Sequence, residues 1–252
     1  MHFDILTLFP EAIEPYLESS MLKKAQERGV FSQCCRQIRK HAVDSYGHVD
    51  DTLYGGGKGM LMMCDPIRDS FLEACRDRAD IPREKRRFIY LSPKGRVFNQ
   101  SIAREYLKYE HLILLCGHYE GVDERVISEM TDEELSIGDF VLSGGELAAL
   151  TVLDAVCRML PGFLPDDSAY KDESHYAGRL EARQYTRPPV WQGKKVPEVL
   201  QQGHHAKIAA FKRLDGLNET LEKRPDIFDR LELDAEEISE LLRYRKKAKD
   251  NA

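Results

Sequence analysis

The sequence has no apolar run that approaches the roughly 20 residues needed to span a bilayer. Its N-terminus, MHFDILTLFP, lacks the basic start and the small-residue cleavage site of a signal peptide. The six cysteines form no CxxC pair, which disfavours both a disulfide framework and a zinc site. We therefore expect a cytoplasmic protein with reduced thiols, no membrane segment and no metal held by cysteine.

Common nucleotide-binding motifs are missing as well. The stretch YGGGKGM at 54–60 is rich in glycine, but it fits neither GxxxxGK followed by Ser or Thr nor GxGxxG. The first apolar run is followed by LFPEAIEP, which has no glycine turn, so a nucleotide-binding oxidoreductase is not supported. By itself, the 54–60 stretch indicates either a loop that contacts a ligand through its backbone or a flexible turn.

The net charge of −6 disfavours a nucleic-acid partner, but the charge is unevenly distributed. Residues 177–252 carry 16 Lys and Arg against 13 Asp and Glu, whereas residues 1–176 carry 21 against 30. The basic tail RYRKKAK suits either a contact with phosphate or a solvated helix end whose cations favour the C-terminal dipole. A non-catalytic RNA-binding protein is an alternative that would explain this basic tail.

Short apolar runs alternate with helical patterns in the first 160 residues. Strands are predicted at 3–9, 87–93 and 111–117, and helices at 12–28, 66–78 and 98–109, with Asp65 as the N-cap of the second helix. This alternation predicts an α/β fold whose mostly parallel sheet is covered on both faces. Because ligands bind outside the carboxyl ends of such strands, we expect the loops at 92–95, 117–121 and 136–146 to lie close together.

The remaining chain has a different pattern. Residues 161–178 are rich in Pro, Gly, Asp and Ser, which is typical of a linker or mobile loop. Helices are predicted beyond it at 196–202, 205–214 and 235–248, with at least one more within 221–234. We therefore expect a first domain at 1–162, a flexible linker at 163–177 and a small all-α domain without strands at 178–252.

Six blocks with glycine, proline and charged residues occur in a fixed order: DDTLYGGGKGM (50–60), LSPKG (91–95), LLCGHYEGVDER (114–125), ELSIGDFVLSGGE (134–146), QYTRP (184–188) and VPEVLQQGHHAKI (196–208). Together they resemble the bacterial tRNA (guanine-N1)-methyltransferase family TrmD of the SPOUT superfamily. The resemblance implies a trefoil knot in the C-terminal part of the first domain. It also implies a homodimer with shared active sites and methyl transfer from S-adenosylmethionine to N1 of guanosine 37, in the anticodon stem-loop of tRNA.

The resemblance also implies the cofactor site. In such proteins the loops of the knot hold S-adenosylmethionine largely through main-chain groups, which explains why 134–146 contains so many small residues. The implied cofactor-binding residues are Tyr90, Leu91, Ser92, Pro93, Gly117, Tyr119, Glu120, Gly121, Ser136, Ile137, Gly138, Leu142, Gly144 and Gly145. Leu91 and Leu142 also suit simple core packing.

Methylation of guanine N1 requires a general base, because neutral guanine carries a proton on that nitrogen. The resemblance implies an acid in the linker fifteen residues after an arginine, and here Glu173 follows Arg158 at that spacing. The family usually has Asp, so the neighbouring Asp172 is the alternative base. Arg158 would stabilise charge on the guanine oxygen, although a helix-surface pair with Asp154 is its alternative role.

Substrate contacts are implied for Glu120, which would accept hydrogen bonds from the Watson–Crick edge of a flipped guanine. Arg187 and Lys207, together with Lys212 and Arg213, suit either phosphate contacts or ordinary surface positions. Asp50, Asp51 and Asp139 could supply oxygen ligands to Mg²⁺, but their spacing matches no metal-binding loop. His118 stands where the family usually has arginine.

Overall fold

The computed structural model describes residues 1–166 and 169–250, and side chains through residue 246. By its internal contacts the chain divides into two compact units, Met1–Asp167 and Ser168–Ala252. The linker predicted at 163–177 spans this division. Its residues 167 and 168, and the side chains of 247–249 in the basic tail, lie outside the described part. The exact domain boundaries therefore stay a prediction.

The first unit contains seven strands and six helices within its described residues. In chain order these elements are β1 (His2–Thr7), α1 (Glu14–Leu17), α2 (Ser20–Glu27), β2 (Ser32–Gln37), β3 (Asp50–Thr52), β4 (Met60–Met62), α3 (Cys64–Asp77), β5 (Arg86–Val97), α4 (Gln100–Tyr106), β6 (His111–Cys116), α5 (Glu124–Met130), β7 (Glu133–Ser136) and α6 (Glu146–Cys157).

Five parallel strands form the central sheet in the order β2-β1-β6-β5-β7, and β3 and β4 form a separate antiparallel pair. β1 and β6 are buried along their whole length, as expected for central strands with continuous apolar sequence. The α/β fold with a mostly parallel sheet, predicted from the alternation of strands and helices, is confirmed.

Both faces of the sheet are covered, because successive side chains of a strand point to opposite faces and both sets are buried. One face packs with α3 and α5 in a core that includes Leu6, Ile67, Ala74, Ile113 and Val126. The alternate strand residues Phe3, Ile5, Leu112 and Leu114 are also fully buried. The apolar helix α6 packs against β1 and β6.

Two helix predictions in this unit need correction. The helix predicted at 12–28 is broken into α1 and α2, because Ser19 is extended and Ser20 has a positive φ of 47°. Asp65 is not the N-cap of α3, which begins at Cys64 after the extended Met63. Asp65 instead lies in the first turn, where a negative charge favours the helix dipole.

The second unit is mostly helical, with α7 (Glu198–Gln201), α8 (His205–Lys223), α9 (Pro225–Phe228) and α10 (Ala235–Asp250). The prediction of no strands is wrong, since β8 (Val190–Trp191) and β9 (Lys194–Lys195) form an antiparallel hairpin. The predicted end of α8 at Leu214 is also wrong. The helix continues through Gly216, where an added Cβ would lie 2.8 Å from the Leu180 carbonyl oxygen, so glycine serves close packing there.

Candidate active site

A cavity of about 530 Å³ lies in the first unit, at the carboxyl ends of β5, β6 and β7. Its walls are an interruption within β5, the turns that follow β6 and β7, and the turn that leads into α6. All fourteen predicted cofactor-binding residues line it: Tyr90, Leu91, Ser92, Pro93, Gly117, Tyr119, Glu120, Gly121, Ser136, Ile137, Gly138, Leu142, Gly144 and Gly145. The structure therefore gathers segments that are up to 55 residues apart in the sequence.

The first wall is an interruption in β5. Leu91 and Arg96 both pair with Leu135 of β7, so residues 92–95 bulge out between two contacts with the same partner. The Ser92 hydroxyl accepts a hydrogen bond from the Lys94 backbone N–H at 3.2 Å. A Cβ on Gly95 would lie 2.3 Å from the carbonyl carbon of Glu134, so only glycine fits against β7 there.

The second wall joins the turn after β6 to the turn before α6. The Gly145 N–H donates to the Gly117 carbonyl oxygen at 3.1 Å. A Cβ on Gly145 would lie 2.6 Å from the Cα of Cys116, and one on Gly117 would lie 2.9 Å from the Tyr90 ring. Glycine at 145 therefore lets two backbone segments touch directly, and glycine at 117 leaves room for the Tyr90 ring.

The third wall follows β7. The Ser136 hydroxyl donates to the Gly138 carbonyl oxygen at 2.9 Å, and the Phe98 N–H donates to the Ser136 carbonyl oxygen at 2.7 Å. Gly138 has a φ of 151°, a conformation that side chains rarely adopt. Beyond it, Phe140 and Val141 line the cavity although both are largely exposed. The cavity therefore has an apolar rim.

His118 and Glu146 form a polar brace beneath the glycine turns that the sequence did not single out. The His118 Nε2 lies 2.9 and 2.8 Å from the two carboxylate oxygens of Glu146, which is only 7% exposed. The Thr7 hydroxyl donates to the same carboxylate at 2.5 Å. A Cβ on Gly144 would collide with both His118 and Glu146. The available signal was an acid directly after two glycines at a helix start.

The glycine-rich stretch at 54–60 contacts the turn after β6. The Glu120 N–H donates to the Met60 carbonyl oxygen at 3.0 Å, and a Cβ on Gly59 would lie 2.5 Å from the Glu120 side chain. This contact positions an exposed carboxylate at the edge of the cavity. Tyr90 forms part of the wall, and burial raises the pKa of its hydroxyl to about 12, so it stays neutral at physiological pH.

The three predicted catalytic residues are not among the residues that line the cavity. Arg158 is half-buried at the end of α6, where its N–H donates to the Asp154 carbonyl oxygen at 3.2 Å. Asp172 and Glu173 belong to the second unit, where Asp172 is exposed and ends a 3-10 turn. The Glu173 N–H donates to the Tyr170 carbonyl oxygen at 3.3 Å. Their catalytic roles stay predictions.

The predicted phosphate contacts differ in their surroundings. Arg187, Lys207 and Lys212 are exposed. Arg213 instead pairs with Glu237, at 3.0 Å, and with Glu240 on α10. Because its charge is already balanced within the second unit, Arg213 is the least suited of the four to bind phosphate.

Among the described residues, the only group of three close metal-ligand side chains is His2, Asp4 and His111 at the amino ends of β1 and β6. Its carboxylate is already paired with arginine, since the Arg36 Nε donates to Asp4 at 2.5 Å. Burial opposes ionisation of Asp4, but hydrogen bonds from His111, His2 and Arg36 outweigh it and hold the pKa of this carboxyl well below its usual range. The adjacent guanidinium disfavours a bound cation.

A family model described as tRNA (Guanine-1)-methyltransferase TrmD matches residues 1–230. The chain belongs to the TrmD family. Three relatives are each named tRNA (guanine-N(1)-)-methyltransferase. The one from Ruminiclostridium cellulolyticum is 47% identical over 231 residues, which cover 92% of this chain and 97% of the relative. Those from Dehalococcoides mccartyi and Clostridium botulinum are 44% and 43% identical and cover 96% and 98% of this chain, and 97% and 100% of their own lengths.

The TrmD match includes the whole cavity and also Arg158, Asp172 and Glu173. Within the described part of this TrmD-family chain, no helix is long and apolar enough to cross a membrane.

Proposed function

We propose that this protein transfers a methyl group from S-adenosylmethionine to N1 of guanosine 37 in tRNA, within the cytoplasm. The observation that carries the proposal is the cavity at the ends of β5, β6 and β7, where fourteen residues singled out from the sequence meet. Its volume of about 530 Å³ is within the range of small-molecule sites. Membership of the TrmD family supports the same reaction.

The cavity suits a ligand that is recognised through the protein backbone. Gly117, Gly138, Gly144 and Gly145 line it without side chains, so a ligand there meets the backbone of the turns. The neutral Tyr90 hydroxyl adds a polar group without adding a charge. When bound, S-adenosylmethionine supplies an electrophilic methyl group.

The reaction needs one proton removed and one bond exchanged. Glu173, with Asp172 as the alternative, accepts the N1 proton of guanine. With S-adenosylmethionine bound, the N1 lone pair freed in this way would take the methyl group, and the methyl–sulfur bond would break with loss of the sulfonium charge. Arg158 donates to the guanine oxygen as negative charge grows there. Glu120 accepts hydrogen bonds from the Watson–Crick edge and so selects guanine.

We also propose a homodimer with shared active sites, in which the linker and helical domain of one subunit serve the cavity of the other. The support is the apolar rim beside the cavity, where Phe140, Val141 and Leu147 are largely exposed. Apolar surfaces of this kind commonly mark protein contacts. A protein diluted below the dimer dissociation constant should then lose activity.

A trefoil knot is a further part of the proposal. After β7, which borders β5 on one side, the chain reaches Gly145 beside β6 on the other side of β5. Such a crossing at the ends of the strands is what a knot in this region requires. A role for Mg²⁺ stays a prediction: Asp50, Asp51 and Asp139 belong to no group of three ligands among the described residues, but Mg²⁺ commonly uses only one or two carboxylates with water and phosphate.

Calorimetric titration with S-adenosylmethionine tests the cofactor first. Saturable binding is expected, whereas no binding at millimolar concentration would favour a non-catalytic RNA-binding protein. Preferential binding of NAD would instead favour an oxidoreductase. Methylation of tRNA transcripts is the second test. Transcripts with guanosine at position 37 should be methylated and matched transcripts with adenosine there should not, while equal methylation of both would contradict the assigned position.

A further inference from the structure

The hairpin formed by β8 and β9 places an aromatic side chain in solvent. Trp191 is the only tryptophan of the chain and is 62% exposed, and the neighbouring Val190 is also largely exposed. Tryptophan is among the side chains that gain most from burial against a partner. A tryptophan presented at the tip of a hairpin therefore suits a contact with another molecule.

The surroundings of Trp191 are positively charged, although the protein as a whole has a net charge of −6. Residues 182–197 contain four basic residues and no acidic residue. Arg183 is used inside the unit, where it pairs with the buried Asp215 at 2.5 Å. Among the described residues, no carboxylate pairs with the other three cations, Arg187, Lys194 and Lys195. The partner is therefore expected to be an anion.

The hairpin is held in a defined position within the second unit. Its base is closed by the hydrogen bond from the Val196 N–H to the Pro189 carbonyl oxygen at 2.9 Å. The Gln201 side chain of α7 donates to the Val196 carbonyl oxygen at 2.9 Å. A second cavity of about 430 Å³ lies along the same segment and is lined by residues that include Tyr185, Arg187, Val196 and Leu200.

The register decides which lysine lies beside the indole. Trp191 is paired with Lys194 and Val190 with Lys195. Directly opposite residues of an antiparallel pair share one face, while neighbours along a strand point to opposite faces. Trp191 and Lys194 therefore share a face, and Lys195 lies on the other one.

We propose that this face of the hairpin is an RNA contact, in which Trp191 stacks on an unpaired base and Lys194 binds an adjacent phosphate. A flat aromatic surface beside an ammonium group matches the two parts of a nucleotide in single-stranded RNA. The inference rests on the proposed function, because the RNA is the tRNA substrate. It adds to that function a specific surface that lies outside the cavity.

Tryptophan fluorescence tests the contact directly, since all tryptophan emission comes from Trp191. Addition of tRNA at low salt should quench or shift this emission, with a midpoint that matches the Kd from filter binding. Saturation with tRNA without any change in emission would overturn the proposal. A change that instead follows protein concentration in the absence of RNA would assign the hairpin to a protein contact and would also overturn it.

Variants of the hairpin separate stacking from charge. Trp191→Ala should weaken tRNA binding by about five- to a hundredfold, and Trp191→Phe should restore most of the affinity because it keeps an aromatic face. Lys194→Gln should reduce the slope of log K against log salt by about 0.7 to 0.9. Lys195→Gln is the matched control on the opposite face, and it should change the slope by less than half of that amount. Thermal unfolding midpoints near the wild-type value establish that each variant is folded.

The outcomes distinguish the two proposals. If the wild type binds tRNA and Trp191→Ala binds it equally well, the hairpin contact is refuted while the proposed function stands. Equal salt slopes for Lys194→Gln and Lys195→Gln would refute the assignment of the face. If the wild-type protein binds no tRNA, the hairpin contact and the proposed function both fail.

Discussion

Replacement of Glu146 should destabilise the first unit and open the cavity. Its buried carboxylate accepts hydrogen bonds from His118 and from Thr7. Glu146→Ala leaves the buried Thr7 hydroxyl and the partly buried His118 ring without this partner, at a cost of about 1–3 kcal/mol each. A combined loss of about 3 kcal/mol corresponds to a fall of about 6–12 °C in Tm for a domain of this size. Glu146→Gln keeps the volume and one acceptor, so its loss should be about half as large.

The assay is thermal unfolding together with calorimetric titration of S-adenosylmethionine. Glu73→Ala is a matched control, because Glu73 also accepts a hydrogen bond from a histidine, His41, at 2.9 Å, but Glu73 is 39% exposed and His41, unlike His118, does not line the cavity. This pair is only partly buried, and the nearby Arg36 keeps Asp4 and Asp77 as partners, so the control should lose less stability than Glu146→Ala. Equal unfolding midpoints for Glu146→Ala and Glu73→Ala would refute the bracing role. Unchanged cofactor affinity in Glu146→Ala would refute its connection to the cavity.

Three further predictions concern the base, the glycine contact and the acid response. Glu173→Gln should abolish methyl transfer with near wild-type cofactor affinity, because an amide cannot accept the proton; an equal loss in Asp172→Asn alone, measured in single turnover, would move the base by one residue. Gly145→Ala should weaken cofactor binding in calorimetry at least about tenfold, since its Cβ would lie 2.6 Å from the Cys116 backbone; unchanged affinity would contradict this. The ionised Asp4 contributes stability above about pH 4 that is lost as the pH falls, so Asp4→Asn should show a shallower fall in unfolding free energy between about pH 5 and pH 3. Urea unfolding at several pH values gives the dependence of unfolding free energy on pH for the wild type and for Asp4→Asn. Equal dependences would argue against Asp4 as the cause of the acid response.

The central strands could be predicted because their apolar sequences indicate that they are buried. FDILTLF and HLILLCG are continuous apolar runs, and β1 and β6 are buried on both faces. β2, with the sequence SQCCRQ, is half-exposed at the edge of the sheet, and its pairing with β1 supplies a structure that its own residues do not indicate. The small hairpin of β8 and β9 was missed because each strand has only two residues, too few to show a pattern in the sequence.

The cavity was predicted in part. The residues of its turns were identified because glycine, serine and proline mark places where backbone must come close. The brace of His118 and Glu146 was not identified, because the two residues are 28 positions apart and meet only through the packing of α6 on β6. The end of α8 was misplaced because a glycine often marks the end of a helix. Gly216 instead lies within α8 and permits a close contact with Leu180.

The interruption of β5 makes the turn at 92–95 a span that is anchored at both ends by Leu135. A segment held in this way has little conformational entropy left to lose when a ligand enters. Association should therefore require little rearrangement of this wall, and the width of the entrance should be nearly constant. Methyl donors related to S-adenosylmethionine would then be selected by their shape, and bulkier analogues would be rejected before any chemical step.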